Sequence, residues 1–263
     1  MIKIGLKEVQ QHLLSIAKEF DRICTKHNIP YYMVYGTLLG AVRHKGFIPW
    51  DDDMDFGVPI EYYKQMEEIM EKELPAPYRY CSFRNHKAVV LPFSKIEDGS
   101  TVIDDLAIDL PLEKKLGLNI DVFPLNKCNW NDKEPEKLKK MTYWMSAAFT
   151  DSKLHDSIIR KIVKRIMRLF LGGKPLYMQK RIEKRLYNVN TGGRIGWILG
   201  AGTKNTVPIE WYGEGKRYQF EDISLMGPVN AHEYLKHIYG DYMQLPPENE
   251  RRAHSAGVYL RGN

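Results

Sequence analysis

The chain is poor in cysteine. It has three in 263 residues, Cys24, Cys81 and Cys128, far apart and without a Cys-x-x-Cys spacing. That excludes a disulfide framework and a thiolate zinc site, and predicts reduced, buried thiols of a cytoplasmic protein. Long hydrophobic runs are missing too: no apolar stretch is long enough to span a bilayer, and MIKIGLKEVQ has no signal-type apolar core. Internal repeats and low-complexity segments are absent. Gly192-Gly193, Gly196, Gly200 and Gly202 make one glycine-rich stretch, but it lacks Gly-Lys-Ser/Thr, so it is no phosphate loop. A flexible loop around Trp197 is the expectation.

What is present is a mixed composition, 43% hydrophobic and 27% charged, with net charge +6 and pI about 9.0. This suits one globular domain, or one domain with a helical appendage. Basic surface suits anionic partners: nucleotide, phosphoglycan, nucleic acid or anionic lipid. The expected division is a catalytic core at 1–127, a basic helical insertion at 128–205, and a segment at 206–263 completing the same domain.

The densest chemistry lies in Tyr31–Pro59. An apolar, strand-like run, Tyr31–Tyr35, meets Gly36-Thr37, then a helical stretch, Leu38–His44. Asp51, Asp52, Asp53 and Asp55 then crowd into five positions ahead of Phe56-Gly57-Val58. If Asp53–Val58 is a strand, Asp53 and Asp55 share a side. Paired carboxylates repel unless a cation lies between them, and hard Mg²⁺ suits carboxylate plus phosphate oxygen; Mn²⁺ is the alternative. An isolated Asp-x-Asp can equally be a solvated turn. Two features favour the metal: a Gly-Thr turn suited to phosphate, and Asp121 inside the apolar run Asn119–Phe123, where a lone charge needs a partner. Arg43 and Lys45 are candidates for phosphate oxygens.

Elsewhere, Leu6, Val9, Leu13, Ile16, Ala17, Phe20, Ile23 and Cys24 mark an amphipathic helix over 7–27, stopped by Asn28-Ile29-Pro30. A second helix is expected at Ile60–Lys72. Short strands follow at Tyr78–Phe83, Val89–Ile96, Thr101–Asp104 and Leu118–Phe123, with a hairpin turn at Asp98-Gly99. Asp104, Asp105 and Asp109 read as loop solvation. Residues 132–190 read as helical and basic. Ile158, Ile159, Ile162, Val163, Ile166, Leu169 and Phe170 form one face; Arg160, Lys161, Lys164, Arg165 and Arg168 form the other, with Gly172-Gly173 ending the helix. The readings open there are a surface helix, peripheral contact with anionic membrane through 157–185, and a grip on an anionic glycan.

Gly-Thr, Asp-x-Asp and a lone later Asp together resemble the nucleotidyltransferase superfamily. Tyr35–Asp55, YGTLLGAVRHKGFIPWDDDMD, resembles the signature of the LicD family, phosphocholine transferases of bacterial surface-glycan synthesis with fukutin-related proteins as distant relatives. The resemblance continues through Gly117–Leu125, with Asn126 where the family often has an acid. It returns in Trp211-Tyr212, Phe220-Glu221, Pro228, Tyr239–Met243 and Leu245-Pro246-Pro247, with Arg251 and His254 closing it; it is thin between 128 and 205. It implies an α/β (α+β) nucleotidyltransferase-like mixed sheet flanked by helices, with a helical C-terminal part. It further implies a CDP-alcohol donor (CDP-choline first), a glycan acceptor, lipid-linked in some cases, of teichoic acid, lipooligosaccharide or capsule type, and loss of CMP. Nucleic acid is not an expected partner. Asp53, Asp55 and Asp121 are the expected ligands and catalytic groups, with Asp121 alternatively the base and Asp51 beside them. Gly36, Thr37, Arg43, Lys45, Arg251 and His254 are the expected substrate contacts. Trp50, Tyr35, Trp211 and Tyr242 are guesses for a choline cage. The rivals are a true nucleotidyltransferase releasing pyrophosphate, a metal-dependent glycosyltransferase, and an inactive nucleotide- or nucleic-acid-binding module.

Overall fold

A computed structural model describes residues 1–104, 111, 114–149, 158–170, 174–253 and 257–262. Asp105, Asp109, Gly172, Gly173 and His254 lie outside the described residues, as do the side chains of 158–161. In chain order the elements are β1 (Ile2–Lys3), α1 (Leu6–Lys26), β2 (Tyr32–Met33), α2 (Tyr35–His44), β3 (Asp55–Pro59), α3 (Ile60–Glu73), β4 (Tyr78–Cys81), β5 (Ser94–Asp98), β6 (Thr101–Ile103) and β7 (Leu118–Cys128). Then follow α4 (Lys133–Phe149), α5 (Ile158–Phe170), α6 (Pro175–Leu186), β8 (Arg194–Gly196), α7 (Ile198–Ala201), β9 (Val207–Pro208), α8 (Ile209–Tyr212), β10 (Lys216–Phe220), β11 (Ile223–Gly227), α9 (Ala231–Tyr239) and β12 (Val258–Leu260). This is the mixed α/β architecture expected.

The main sheet runs β2-β3-β7-β5-β4, and β8 with β9 extends it from the far end of β7. β3 and β7 are parallel; the other pairs are antiparallel. A parallel pair needs a crossover, and α3, β4, β5 and β6 fill it. On one face α1 and α3 cover the sheet: Phe20 packs on Phe56 at 5.1 Å between centroids, and the Tyr63 hydroxyl donates to the Val122 carbonyl at 2.6 Å. Each fully buried side chain of this size contributes roughly 1.5–3 kcal/mol. The apolar stripe read for α1 is buried from Val9 to Cys24, with Leu6 half-buried, and all three cysteines are buried and free.

α1 ends where the sequence indicates. Asn28 takes φ +52, and the Ile29 amide donates back to the Cys24 carbonyl at 2.9 Å, the bond pattern of a helix closed by a left-handed residue. Other boundaries moved. Of the run Tyr31–Tyr35 only Tyr32–Met33 pairs, because Tyr35 turns to φ +47 and opens α2, so Gly36-Thr37 lies in the first helical turn rather than before it. Val89–Ile96 shrinks to a strand starting at Ser94, since Pro92 has no amide to donate. Asp98-Gly99 turns the chain but closes no hairpin: β6 pairs with β12, and the Asp98 carboxylate takes the Ser100 amide at 2.9 Å. The glycine-rich stretch is not a plain loop. It holds β8 and α7, with Trp197 stacked on Phe123 at 4.2 Å.

Candidate active site

Pairing in the sheet decides the centre of the site. In the parallel β3–β7 register, Asp55 is the direct partner of Asp121, and in the antiparallel β5–β7 register, Asp121 is the direct partner of Lys95. Direct partners project from the same face, so Asp55, Asp121 and Lys95 form a row across three strands. The Lys95 ammonium binds the Asp121 carboxylate and also the Asn119 side-chain oxygen at 3.0 Å. No sequence signal marked Lys95; its neighbours Ser94 and Ile96 gave only a strand.

Backbone bonds fix these positions. The Asp121 amide donates to the Met54 carbonyl at 2.9 Å, and the Asp55 amide donates to the Thr37 hydroxyl at 2.8 Å. Thr37 is buried, and its hydroxyl braces the backbone of the Asp55 strand. β3 starts at Asp55, so Asp53 stands in the loop before it, and strand alternation does not set where its carboxylate points. That loop is clamped from both ends of the chain. Gln10 on α1 donates to the Asp51 carbonyl at 2.9 Å; Glu221, at the tip of the β10–β11 hairpin with φ +53, accepts the Phe47 amide at 3.0 Å and donates its own amide to the Lys45 carbonyl at 2.8 Å.

The electrostatics follow from the crowding. Burial first, then the charges of Asp121, Asp53 and Asp51, hold the Asp55 carboxyl well above the usual range, with Lys95 opposing. Burial also raises Asp121, again opposed by Lys95. A divalent cation suits such a donor set chemically, because it relieves the mutual repulsion of the carboxylates. The ligand cage, however, is not assembled as the sequence suggests: among the described residues no three His, Cys, Asp or Glu side chains are grouped to hold a metal ion. Lys95 supplies the positive charge at Asp121 instead.

Above the carboxylates opens a cleft of about 580 Å³, lined by Tyr35, Gly36, Arg43, Trp50, Asp51, Asp53, Asp55, Tyr239, Tyr242 and Arg252, among others. Tyr35 stays in its left-handed backbone with its ring edge-on to Phe123 at 6.1 Å and beside Tyr234 at 6.5 Å. Burial, then the charge of Asp55, pushes the Tyr239 hydroxyl well up. Arg43 donates to the Tyr242 carbonyl at 2.7 Å. The expected Lys45 is not among the lining residues; it is exposed at the end of α2 with φ +63, where it closes the helix. Arg251 is not among them either: it lies over the Trp50 ring at 5.2 Å and donates to the Pro246 carbonyl at 3.0 Å, while Arg252 lines the cleft. Trp211 sits against His237 and is not among the lining residues, unlike the other three aromatics guessed. Tyr239 belongs to the Tyr239–Met243 run of the resemblance but carried no assigned role, and Arg252 had no motif to announce it. Asn126, where an acid was absent, is buried and donates to the Leu186 and Val189 carbonyls at 2.9 and 2.7 Å, a structural tie.

Residues 28–142 match the family described as LicD/FKTN/FKRP, nucleotidyltransferase domain. Over 97% of both chains, the protein is 29% identical to the lipopolysaccharide cholinephosphotransferase LicD of Haemophilus influenzae. An uncharacterized protein of Rickettsia typhi is 42% identical over 67 residues, 26% of this chain and 22% of that one. Human ribitol 5-phosphate transferase FKRP is 33% identical over 69 residues, 26% of this chain and 14% of its own length.

Proposed function

We propose that the protein transfers a phospho-alcohol, phosphocholine in the first instance, from a CDP-linked donor to a sugar hydroxyl of a bacterial surface glycan, releasing CMP. The observation that carries this reading is the Asp55–Asp121 pairing below an aromatic cleft, in a segment that matches the LicD/FKTN/FKRP family and a chain whose full-length relative is a cholinephosphotransferase. The reaction breaks the donor's phosphoanhydride bond and forms a phosphodiester to the acceptor oxygen. The acceptor's proton goes to Asp121 where that carboxylate is not the third metal ligand; its raised affinity for protons suits a base. Arg43 and Arg252 meet phosphate oxygens of the donor, and the rings of Tyr35, Trp50 and Tyr242 supply faces for a quaternary ammonium.

Mg²⁺ is part of this proposal. Asp53 and Asp55, with Asp121 once Lys95 releases it, would hold the ion, and its chemistry there is neutralisation and alignment of the phosphate oxygens. Positioning and charge stabilisation then supply most of the rate, since no protein nucleophile is required.

Purified protein incubated with Mg²⁺, an acceptor glycan and CDP-choline, CDP-glycerol or CDP-ribitol tests the proposal. Release of CMP from one of these supports it. Release of pyrophosphate from a nucleoside triphosphate, or of UDP from a UDP-sugar, replaces it with a nucleotidyltransferase or a glycosyltransferase. Binding alone raises the melting temperature, so a thermal-shift series over the same ligands ranks the donors.

A further inference from the structure

α5 packs with its polarity inverted. Its apolar side chains Ile162, Val163, Ile166, Leu169 and Phe170 all face solvent, Leu169 at 73% and Phe170 at 87% exposure. Its half-buried side chains are Lys164, Met167 and Arg168, and it meets α4 through Arg168, which donates to the Ala148 carbonyl at 2.7 Å with its guanidinium over the Phe149 ring at 5.8 Å. A helix that merely covered a core would do the reverse, because burial of the apolar stripe is what holds a surface helix down. Trp144 on α4, the helix α5 packs against, and Tyr177 on α6, the next helix in the chain, are exposed as well.

The charge around this face has one sign. Between 158 and 186 the chain has ten Lys and Arg against one Glu, in a protein whose net charge is +6, so the remainder is net negative. An exposed apolar stripe bordered by arginine and lysine, with Trp and Tyr nearby, is the combination an anionic bilayer surface accepts: apolar side chains enter the acyl boundary, aromatic rings sit at headgroup level and basic groups meet lipid phosphates. We infer that α5, with the exposed aromatic residues of α4 and α6, docks the protein on anionic membrane, the apolar face of α5 lying in the interfacial plane. A second copy of the chain is a poorer occupant, since two such faces bring ten positive charges against ten. No helix among the described residues is long and apolar enough to cross a membrane, so the contact is peripheral. The site would then work beside acceptors carried on lipid.

The test is co-sedimentation of the whole protein, without donor or acceptor, with vesicles of phosphatidylcholine alone and of equal parts phosphatidylcholine and phosphatidylglycerol. The expected result is partition to the mixed vesicles, falling as salt is raised because exposed charges are screened, and little partition to the neutral ones. Leu169→Glu with Phe170→Glu, both on the exposed face, should lower partition about tenfold or more, the loss of one buried large side chain sufficing for that factor. Its melting temperature should stay unchanged. A second variant, Lys180→Glu with Lys184→Glu, should lower partition and flatten the salt dependence. Wild-type protein that stays in solution with the mixed vesicles overturns the inference. So does equal partition of the Leu169/Phe170 variant, or a concentration-dependent dimer that this variant dissociates while vesicle binding is absent. Because no turnover is measured, failure here leaves the proposed transfer standing, and failure of CMP release leaves the docking standing.

Discussion

Lys95 and Asp121 are direct partners across the β5–β7 pair, and the lysine ammonium occupies the carboxylate that also faces Asp55 from the next strand. One cation thus holds in place two carboxylates that repel each other. Anything that removes or displaces it has consequences for both stability and metal affinity.

Lys95→Met keeps the length of the side chain and deletes its charge. In EDTA it should cost about 1–2 kcal/mol, below the 3–5 of a fully buried broken pair because both partners are partly exposed. With Lys95 no longer competing for Asp121, the rise in melting temperature on adding Mn²⁺ should be larger than in the wild type. A thermal-shift titration in Mn²⁺ reads both effects; an unchanged metal increment would show that Lys95 does not compete for the site.

Asp55→Asn should stabilise the metal-free protein while abolishing turnover. The folded-state affinity of Asp55 for a proton is raised, so the folded chain binds a proton the unfolded chain has released. Its contribution to stability is therefore fully present below the ordinary carboxylate value and lost as pH rises through the folded-state value. Asparagine removes that penalty. Melting temperature in EDTA should rise at neutral pH, by about 2–4 °C for each kcal/mol recovered at this chain size, and the gain should vanish below about pH 4. A gain that grows on acidification would contradict the sign.

Glu221→Ala removes the acceptor of the Phe47 amide at the β10–β11 hairpin tip. The stability cost should be about 1–3 kcal/mol for the stranded donor. Since this clamp positions the loop running to Asp51–Asp55, turnover should fall more than the donor's KM changes. Steady-state kinetics with varied CDP-alcohol separate the two; loss of stability with unchanged turnover would deny the clamp its positioning role.

Gly40→Ala tests the same loop from beneath. A Cβ there would lie 2.5 Å from the Gly46 carbonyl oxygen, which is backbone and cannot swing aside. Overpacking of this kind costs about 1–3 kcal/mol, and the displaced 46–48 segment should carry Asp51 with it. Urea unfolding gives the first quantity and CMP release the second; a variant with wild-type stability would mean that the loop yields freely.

Much of the site was legible before any tertiary information. The run from Tyr35 to Asp55 and the lone acid at Asp121 announced carboxylates with a shared purpose, because charges in apolar strands are costly without a partner. The helices α1 and α3 and their stops were legible for the same reason that amphipathic spacing is: it is local. Less was legible where contacts are not local. The Thr37 hydroxyl braces the Asp55 backbone; Lys45, beside the motif in order, and Arg251, in the tail, do not line the cleft, while Arg252, unmarked in sequence, and Tyr239, marked but given no role, do. Sequence proximity does not say on which side of a helix end or turn a side chain emerges.

By itself, then, the order of residues determined the carboxylate set, the family resemblance and the amphipathic, basic character of α5, because each is written in composition and spacing. Only the folded chain decided that Lys95 stands opposite Asp121, that Asp55 is its other neighbour, and that α5 presents its apolar side outward. Strand register and helix orientation are settled by competition among partners distant in the chain, and no local pattern encodes the winner.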